Sequence, residues 1–244
     1  MNYLQYLNYL PQDPVFPEGL SGREALQLVA EIYGIDYNKS KARIEKLLAY
    51  FQLASDAKRR VGIYSRGMQQ RLGIAAVLLT EPELLILDEP VSALDPEGRR
   101  RVLEIIIKLR GKATVFFSSH ILADVERVCD HITIIDKGQK LFDATTAELL
   151  NRYAIEQYLV SVPENQATEA IALISNQKTV RKVKRQLGKL LVISEPGESV
   201  AMVEQLLPLL IKQGIKVTEF MQNRTNLEEA FFKVLEENHR QRVV

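Results

Sequence analysis

Residues 84–90 read Leu84-Leu85-Ile86-Leu87-Asp88-Glu89-Pro90, four apolar residues that stop at two carboxylates. Such a run suits a strand buried on both faces of a parallel sheet, and its tip presents the acids at the carboxyl edge, where α/β proteins bind ligands. One acid can hold Mg²⁺, usually through water, and the other can orient a nucleophile. A pair of this kind normally faces a glycine-rich turn with a lysine, because backbone N–H groups at a helix N-terminus carry partial positive charge and cradle phosphates. That pattern, Gly, four residues, Gly-Lys, then Ser or Thr, does not occur in the sequence. Gly111-Lys112 is followed by Ala113 and has Ile106 at the first glycine position, and Gly188-Lys189 fails in the same way at Leu190 and Val183.

The 244 residues, 46% hydrophobic and 26% charged, suffice for one large domain or two small ones with a buried core. Lys and Arg number 32 against 31 acids, so no global field favours nucleic acid or an anionic surface. A single cysteine, Cys129, excludes an internal disulfide and agrees with a reducing compartment. No stretch approaches about 18 consecutive apolar residues, and Met1 to Gln12 lacks the basic-then-apolar layout of a signal peptide. The expectation is a soluble chain that serves a membrane, if at all, through a partner.

Tyr3 to Leu10 is rich in strand formers and stops at Pro11, before a loop carrying Gln12, Pro14 and Pro17. Ser21-Gly-Arg-Glu24 is a capping-box pattern, followed at helical spacing by Ala25, Leu28, Val29 and Ile32 until Gly34. Helices over 39–51 and 65–79 complete a helical block, about 18–80, between the first strand and the strand at 84–87. A helix over 96–110, a strand over 113–117, a helix over 122–128 and a strand over 131–135 continue the parallel-sheet rhythm. After residue 150 the composition shifts. Strands at 157–162, 179–186, 190–194 and 215–221, with helices at 164–175 and 198–213, read as a β-α-β-β-α-β, ferredoxin-like α+β module, and a last helix covers 225–237. The predicted domains are therefore 1–150 and 151–244. The basic run Lys178, Arg181, Lys182, Lys184 and Arg185 reads as a solvated strand face or a contact for an acidic partner.

A second chemical element is Tyr64-Ser65-Arg66-Gly67-Met68, which opens the helix ending at Leu79. Ser65 suits an N-cap, and Gly67 permits close approach of an anionic ligand to the helix N-terminus. Ser92-Ala93-Leu94-Asp95 and His120 follow the acid pair. With Gln12, Ser65–Met68, Leu84–Glu89, Ser92–Asp95 and His120 in this order, residues 3–150 resemble the ATP-binding subunits of ABC transporters. These positions match that family's glutamine loop, signature, Walker B strand, Ser-Ala-Leu-Asp loop and switch histidine. The C-terminal part resembles the small accessory domain of some bacterial export-type subunits.

The resemblance implies an α/β P-loop NTPase fold with a helical subdomain, here expected to be N-terminally truncated, because the family's Walker A loop and first strands precede the glutamine loop. It assigns Asp88 to Mg²⁺, Glu89 to the attacking water, His120 to the terminal phosphate, and Gln12 to metal, water and the membrane partner. Ser65, Arg66, Gly67 and Met68 would bind ATP held by the opposite subunit, and Asp95 would lie at the dimer interface. The implied cofactors are ATP and Mg²⁺. The implied partners are a multi-span membrane permease subunit and a second ABC ATPase subunit, with no nucleic acid, and the implied place is the cytoplasmic face of the cell membrane. Two other readings stand beside it: a degenerate half-cassette that completes the ATP site of an intact one, and a soluble non-transport ABC protein. A Ser119-His120-Asp124 hydrolase is disfavoured, because consecutive Ser and His side chains diverge and no nucleophile-elbow pattern is present. Without the first strands, sheet edges and apolar faces would be uncovered, and the chain is expected to be prone to aggregation.

Overall fold

The computed structural model describes residues 6–223 and 225–242, and the chain packs as two compact units, Met1–Val128 and Cys129–Val244. In the first, strands β1 (Leu7–Leu10), β2 (Leu84–Leu87) and β3 (Thr114–Phe117) form a parallel sheet in the order β1-β2-β3. The first strand expected from Tyr3 therefore begins at Leu7 within the described residues, and residues 3–5 lie outside them.

Helices α1 (Gly22–Ile32), α2 (Tyr37–Tyr50) and α3 (Arg66–Leu79) fill the connection from β1 to β2 and pack on one another. Their starts follow from local chemistry. Ser21 and Glu24 form the capping box, and Asp36 accepts the Asn38 and Lys39 amides, each cap contributing about 1 kcal/mol. Leu26, Ile44, Leu48, Phe51, Leu53 and Leu72 are buried between them. Asn8 ties this block to β1: its Nδ2 donates to Val77 O at 2.7 Å, and Tyr33 Oη donates to its Oδ1 at 2.8 Å. Helix α4 (Pro96–Leu109) packs on β3, and α5 (Leu122–Val128) on α4.

The burial of β2 alternates instead of covering both faces. Asn8, Leu10, Leu85 and Leu87 are buried, and α3 lies on this side, where Gly73 leaves room for the Leu10 side chain and Pro14. The opposite face carries the cross-strand row Tyr9, Ile86 and Phe116, of which Tyr9 and Phe116 are 54% and 63% exposed.

In the second unit β4 (His131–Asp136) and β5 (Gln139–Thr145) make an antiparallel hairpin, followed by α6 (Thr146–Arg152). The motif-based boundary near 150 falls after this hairpin, whereas the packing boundary precedes it, so that β4, β5 and α6 group with the C-terminal elements. Strands β6 (Gln157–Ser161), β7 (Val180–Gln186), β8 (Lys189–Ser194) and β9 (Glu219–Asn223) form an antiparallel sheet in the order β7-β8-β6-β9. Helices α7 (Ala167–Ser175) and α8 (Ser199–Lys212) complete the β-α-β-β-α-β succession, with Val160, Ala170, Ile174, Leu190, Val192, Met202, Leu206 and Leu210 in its core. The last strand starts at Glu219 and not at Ile215. Ile215 is buried outside any strand, the Lys216 amide is held by Gln166 Oε1, and pairing begins where the Thr218 amide reaches Ser161 O. Helix α9 (Leu227–Arg242) ends the described chain and packs on β5 and α6.

Candidate functional site at the carboxyl edge of the first sheet

Parallel pairing brings three strand ends side by side: β1 runs into Gln12, β2 into Asp88-Glu89 and β3 into Ser118-Ser119-His120. The ladder continues one step past the strands, with the Asp88 amide donating to Leu10 O at 2.8 Å and the Ser118 amide to Leu87 O at 3.0 Å. The acids are thus fixed by backbone register and not by loop conformation alone.

Glu89 and His120 meet. The His120 amide donates to Glu89 Oε1 at 3.1 Å, and His120 Nδ1 lies 2.8 Å from the same oxygen. The Glu89 side chain is 18% exposed and the His120 ring 71%, so the acid is recessed beneath an open imidazole. Glu89 Oε2 is buried and has no hydrogen-bond partner among the described residues. An acceptor held dry in this way costs free energy unless something donates to it. Glu89 also has φ of 45°, a left-handed conformation that costs a non-glycine residue on the order of 1 kcal/mol or more and clusters at functional sites.

Ser118, not among the site residues predicted from sequence, bridges the acids. Its hydroxyl donates to Asp88 Oδ1 at 2.6 Å and accepts the Glu89 amide at 2.9 Å. Beyond the acids the chain turns sharply, the Ser92 amide and hydroxyl both donating to Glu89 O at 3.2 and 3.1 Å.

Ser65 caps α3, its hydroxyl accepting the Met68 amide at 3.3 Å, and both Ser65 and Arg66 are exposed. Two contacts join this helix start to the turn after the acids. Gln70, fully buried, donates from Nε2 to Pro90 O at 3.2 Å, and a Cβ on Gly67 would stand 2.9 Å from Ala93 O. Gly67 is therefore required by its own chain's Ser92–Asp95 segment, a reason independent of any ligand. Asp95 caps α4 through the Gly98 amide at 3.3 Å. Gln12 is exposed, and its neighbour Asp13 pairs with Arg66 at 2.8 Å. The structure thus joins Glu89 to His120 directly, Asp88 to Glu89 through Ser118, and Gly67 to the Ser92–Asp95 segment, while Gln12 precedes Asp13, which anchors Arg66.

The hydrolase alternative has no geometry behind it. Ser119 Oγ accepts the Ile121 amide at 3.0 Å, and Asp124 is engaged bidentately by Arg99 at 2.7 Å on each oxygen. Among the described residues no group of three His, Cys, Asp or Glu side chains forms a metal cage, and no helix is long and apolar enough to cross a membrane.

Comparison with known proteins bears on the family of the chain. The family model described as ABC transporter matches residues 2–92, a span that ends at Ser92 and leaves out Asp95 and His120. An uncharacterised ABC transporter ATP-binding protein, YxlF of Bacillus subtilis, is 34% identical over 94% of this chain and 76% of its own length. The bacitracin transport ATP-binding protein BcrA of Bacillus licheniformis is 34% identical over 95% of this chain and 74% of its own. A solved structure of an ATP-binding subunit of an ABC transporter superposes with a TM-score of 0.58 at 33% identity, covering 61% of this chain and 62% of that one. Two further curated relatives are spanned over 47% and 51% of their length. On this likeness, carried across nearly the whole chain, the protein belongs to the family of ABC transporter ATP-binding proteins.

Proposed function

We propose that the chain is the ATP-binding and ATP-hydrolysing subunit of an export-type ABC transporter, coupled to a separate multi-span membrane subunit and paired with a second ATPase subunit. The observation that carries this reading is the Asp88–Ser118–Glu89–His120 constellation at the carboxyl edge of the parallel sheet. Relatives named for bacitracin transport and daunorubicin resistance support the export direction. The nucleotide's phosphates would be cradled by a glycine-rich loop that these 244 residues do not contain.

The residues present fit ATP and Mg²⁺. Mg²⁺ usually takes one or two carboxylates, several waters and phosphate oxygens, and Asp88 at the end of β2, with Gln12 just past the end of the neighbouring strand β1, would offer such oxygen donors. When bound, Mg²⁺ neutralises charge on the phosphates. Glu89, recessed and with one oxygen lacking a donor, accepts a hydrogen bond from the attacking water and orients it. His120, exposed and donating from Nδ1 to Glu89, would donate from Nε2 to the terminal phosphoryl group when both ring nitrogens carry protons. Phosphoryl transfer needs little more from a protein than positioning and charge stabilisation. Ser65–Met68 present the exposed amino end of α3 to ATP held by the opposite subunit, and Asp95 faces the same interface. The subunit would work at the cytoplasmic face of the membrane, with residues 151–244 as an accessory domain.

The exposed capped start of α3 also favours a second reading, a half-cassette that lends Ser65 and Gly67 to an intact partner without hydrolysing ATP at its own acids. One experiment separates the two. The chain is mixed with a complete ABC cassette and ATP turnover is measured for wild type, Glu89→Gln and Ser65→Ala. The hydrolysing reading requires both substitutions to lower turnover, and the half-cassette reading requires only Ser65→Ala to do so. If neither changes turnover, both readings are lost.

A further inference from the structure

We propose that Ser118 is the positioning residue of the acid pair, an inference that rests on the reading of Glu89 as the group that orients water. A serine hydroxyl carries one donor and two acceptor lone pairs, and Ser118 uses both kinds on the two acids at once. It donates to Asp88 Oδ1 at 2.6 Å and accepts the Glu89 amide at 2.9 Å. The first bond engages Oδ1 of Asp88. The second holds the Glu89 backbone at φ 45°, a conformation that a glutamate does not keep unaided.

The consequence reaches the carboxylate. Because Glu89 leaves the strand through a left-handed residue, its side chain returns over the strand ends and meets both the amide and Nδ1 of His120 on Oε1. Relaxation of Glu89 to negative φ would redirect its Cβ and break that pair of contacts. The Ser92 amide and hydroxyl fix the carbonyl of Glu89, but Ser118 is the residue that fixes its amide. Ser118 is itself placed by strand register, its amide bonded to Leu87 O. Its side chain is exposed, so truncation removes the two hydrogen bonds without opening a cavity in the core.

The test compares wild type, Ser118→Ala and Ser118→Thr in two ways. Amide hydrogen exchange of the ¹⁵N-labelled chain without nucleotide reads the geometry directly. Ser118→Ala is expected to accelerate exchange at Glu89 and His120 by about tenfold, the worth of one lost hydrogen bond, while Leu85 and Leu87 exchange as before and the melting curve holds. Ser118→Thr, which keeps the hydroxyl, is expected to match wild type. In mixtures with a complete cassette, Ser118→Ala is expected to lower kcat at least about tenfold at unchanged KM, with Thr restoring it, as misplacement of a positioned group does. Unchanged exchange at Glu89 in Ser118→Ala, failure of Thr to restore it, or acceleration spread evenly through β1 to β3 would each overturn the proposal. A wild-type chain that supports no turnover with any cassette removes the hydrolysing reading alone, and the exchange comparison still decides on Ser118.

Discussion

Gly67, in the first turn of α3, lies so close to the backbone carbonyl of Ala93 that a Cβ would stand 2.9 Å from that oxygen. The signature helix and the segment after the acid pair therefore touch through main chain, which cannot move aside as a flexible side-chain tip can. Gly67→Ala gains helix propensity, worth up to about 1 kcal/mol, but forces apart two backbone segments at an overpacking cost of about 1–3 kcal/mol. The expected result is a net loss of about 1 kcal/mol in urea unfolding. A midpoint equal to or above that of wild type would show that the contact is soft.

Among the described residues of the first unit, Arg99 and Asp124 form the most enclosed ion pair, with Asp124 at 6% side-chain exposure and Arg99 at 34%. The two bonds run parallel from Nε and Nη2 to the two carboxylate oxygens. Removing the arginine leaves a carboxylate in a poor solvent, and breaking such pairs costs roughly 3–5 kcal/mol when both partners are buried. With Arg99 one-third exposed, Arg99→Leu is expected to lose about 2–3 kcal/mol, and Asp124→Leu less, since it strands a group that can still reach water. A urea titration of both variants checks the order, and equal losses would contradict the asymmetry.

Much of this architecture is legible because its signals are local. The capping box at Ser21 and Glu24 fixes the start of α1, Ser65 and Asp95 cap where the sequence places them, and the alternation in Tyr158, Val160, Leu190 and Val192 announces a half-buried sheet. The β5 strand and α6 lie outside the elements predicted from sequence, although Thr145 and Glu148 form a capping box of the same kind. Ser118 was not legible at all. Its role depends on which residue of β3 lies beside Leu87, a register that only pairing between strands distant in sequence establishes. Glu89's left-handed backbone was hidden for the same reason, since a glutamate carries no sequence preference for it.

In the hairpin of the second unit, the Lys140 ammonium holds the Asp143 carboxyl well below the usual carboxylate range, helped by hydrogen bonds from His131 and Thr133. A depressed folded-state pKa means that the contribution to stability is fully present above the unfolded value, about 3.9, and is lost as pH falls through the folded one. Asp143→Asn is therefore expected to lower the urea midpoint at pH 6 and to converge on wild type in strong acid. The group is exposed, so the difference should shrink as salt is raised. A difference that grew toward low pH would reverse the assigned sign.

The uncovered face of the first sheet makes the last prediction. Tyr9, Ile86 and Phe116 line up across β1, β2 and β3, and the two outer aromatic rings are more than half exposed. Among the described residues, strands β1 and β3 each pair on one side only, so the apolar row is flanked by backbone edges without a strand partner there. Exposed apolar rows of this kind recruit other apolar surfaces, and unpaired edges recruit other strands. The isolated chain is expected to bind a hydrophobic fluorescent dye and to self-associate as concentration rises. Phe116→Ser removes the most exposed ring from the row without touching Leu85, Leu87 or the acids beyond them. It is expected to reduce both dye binding and association in sedimentation experiments while the Glu89–His120 geometry persists. Equal association of the Phe116→Ser chain would place the sticky surface elsewhere.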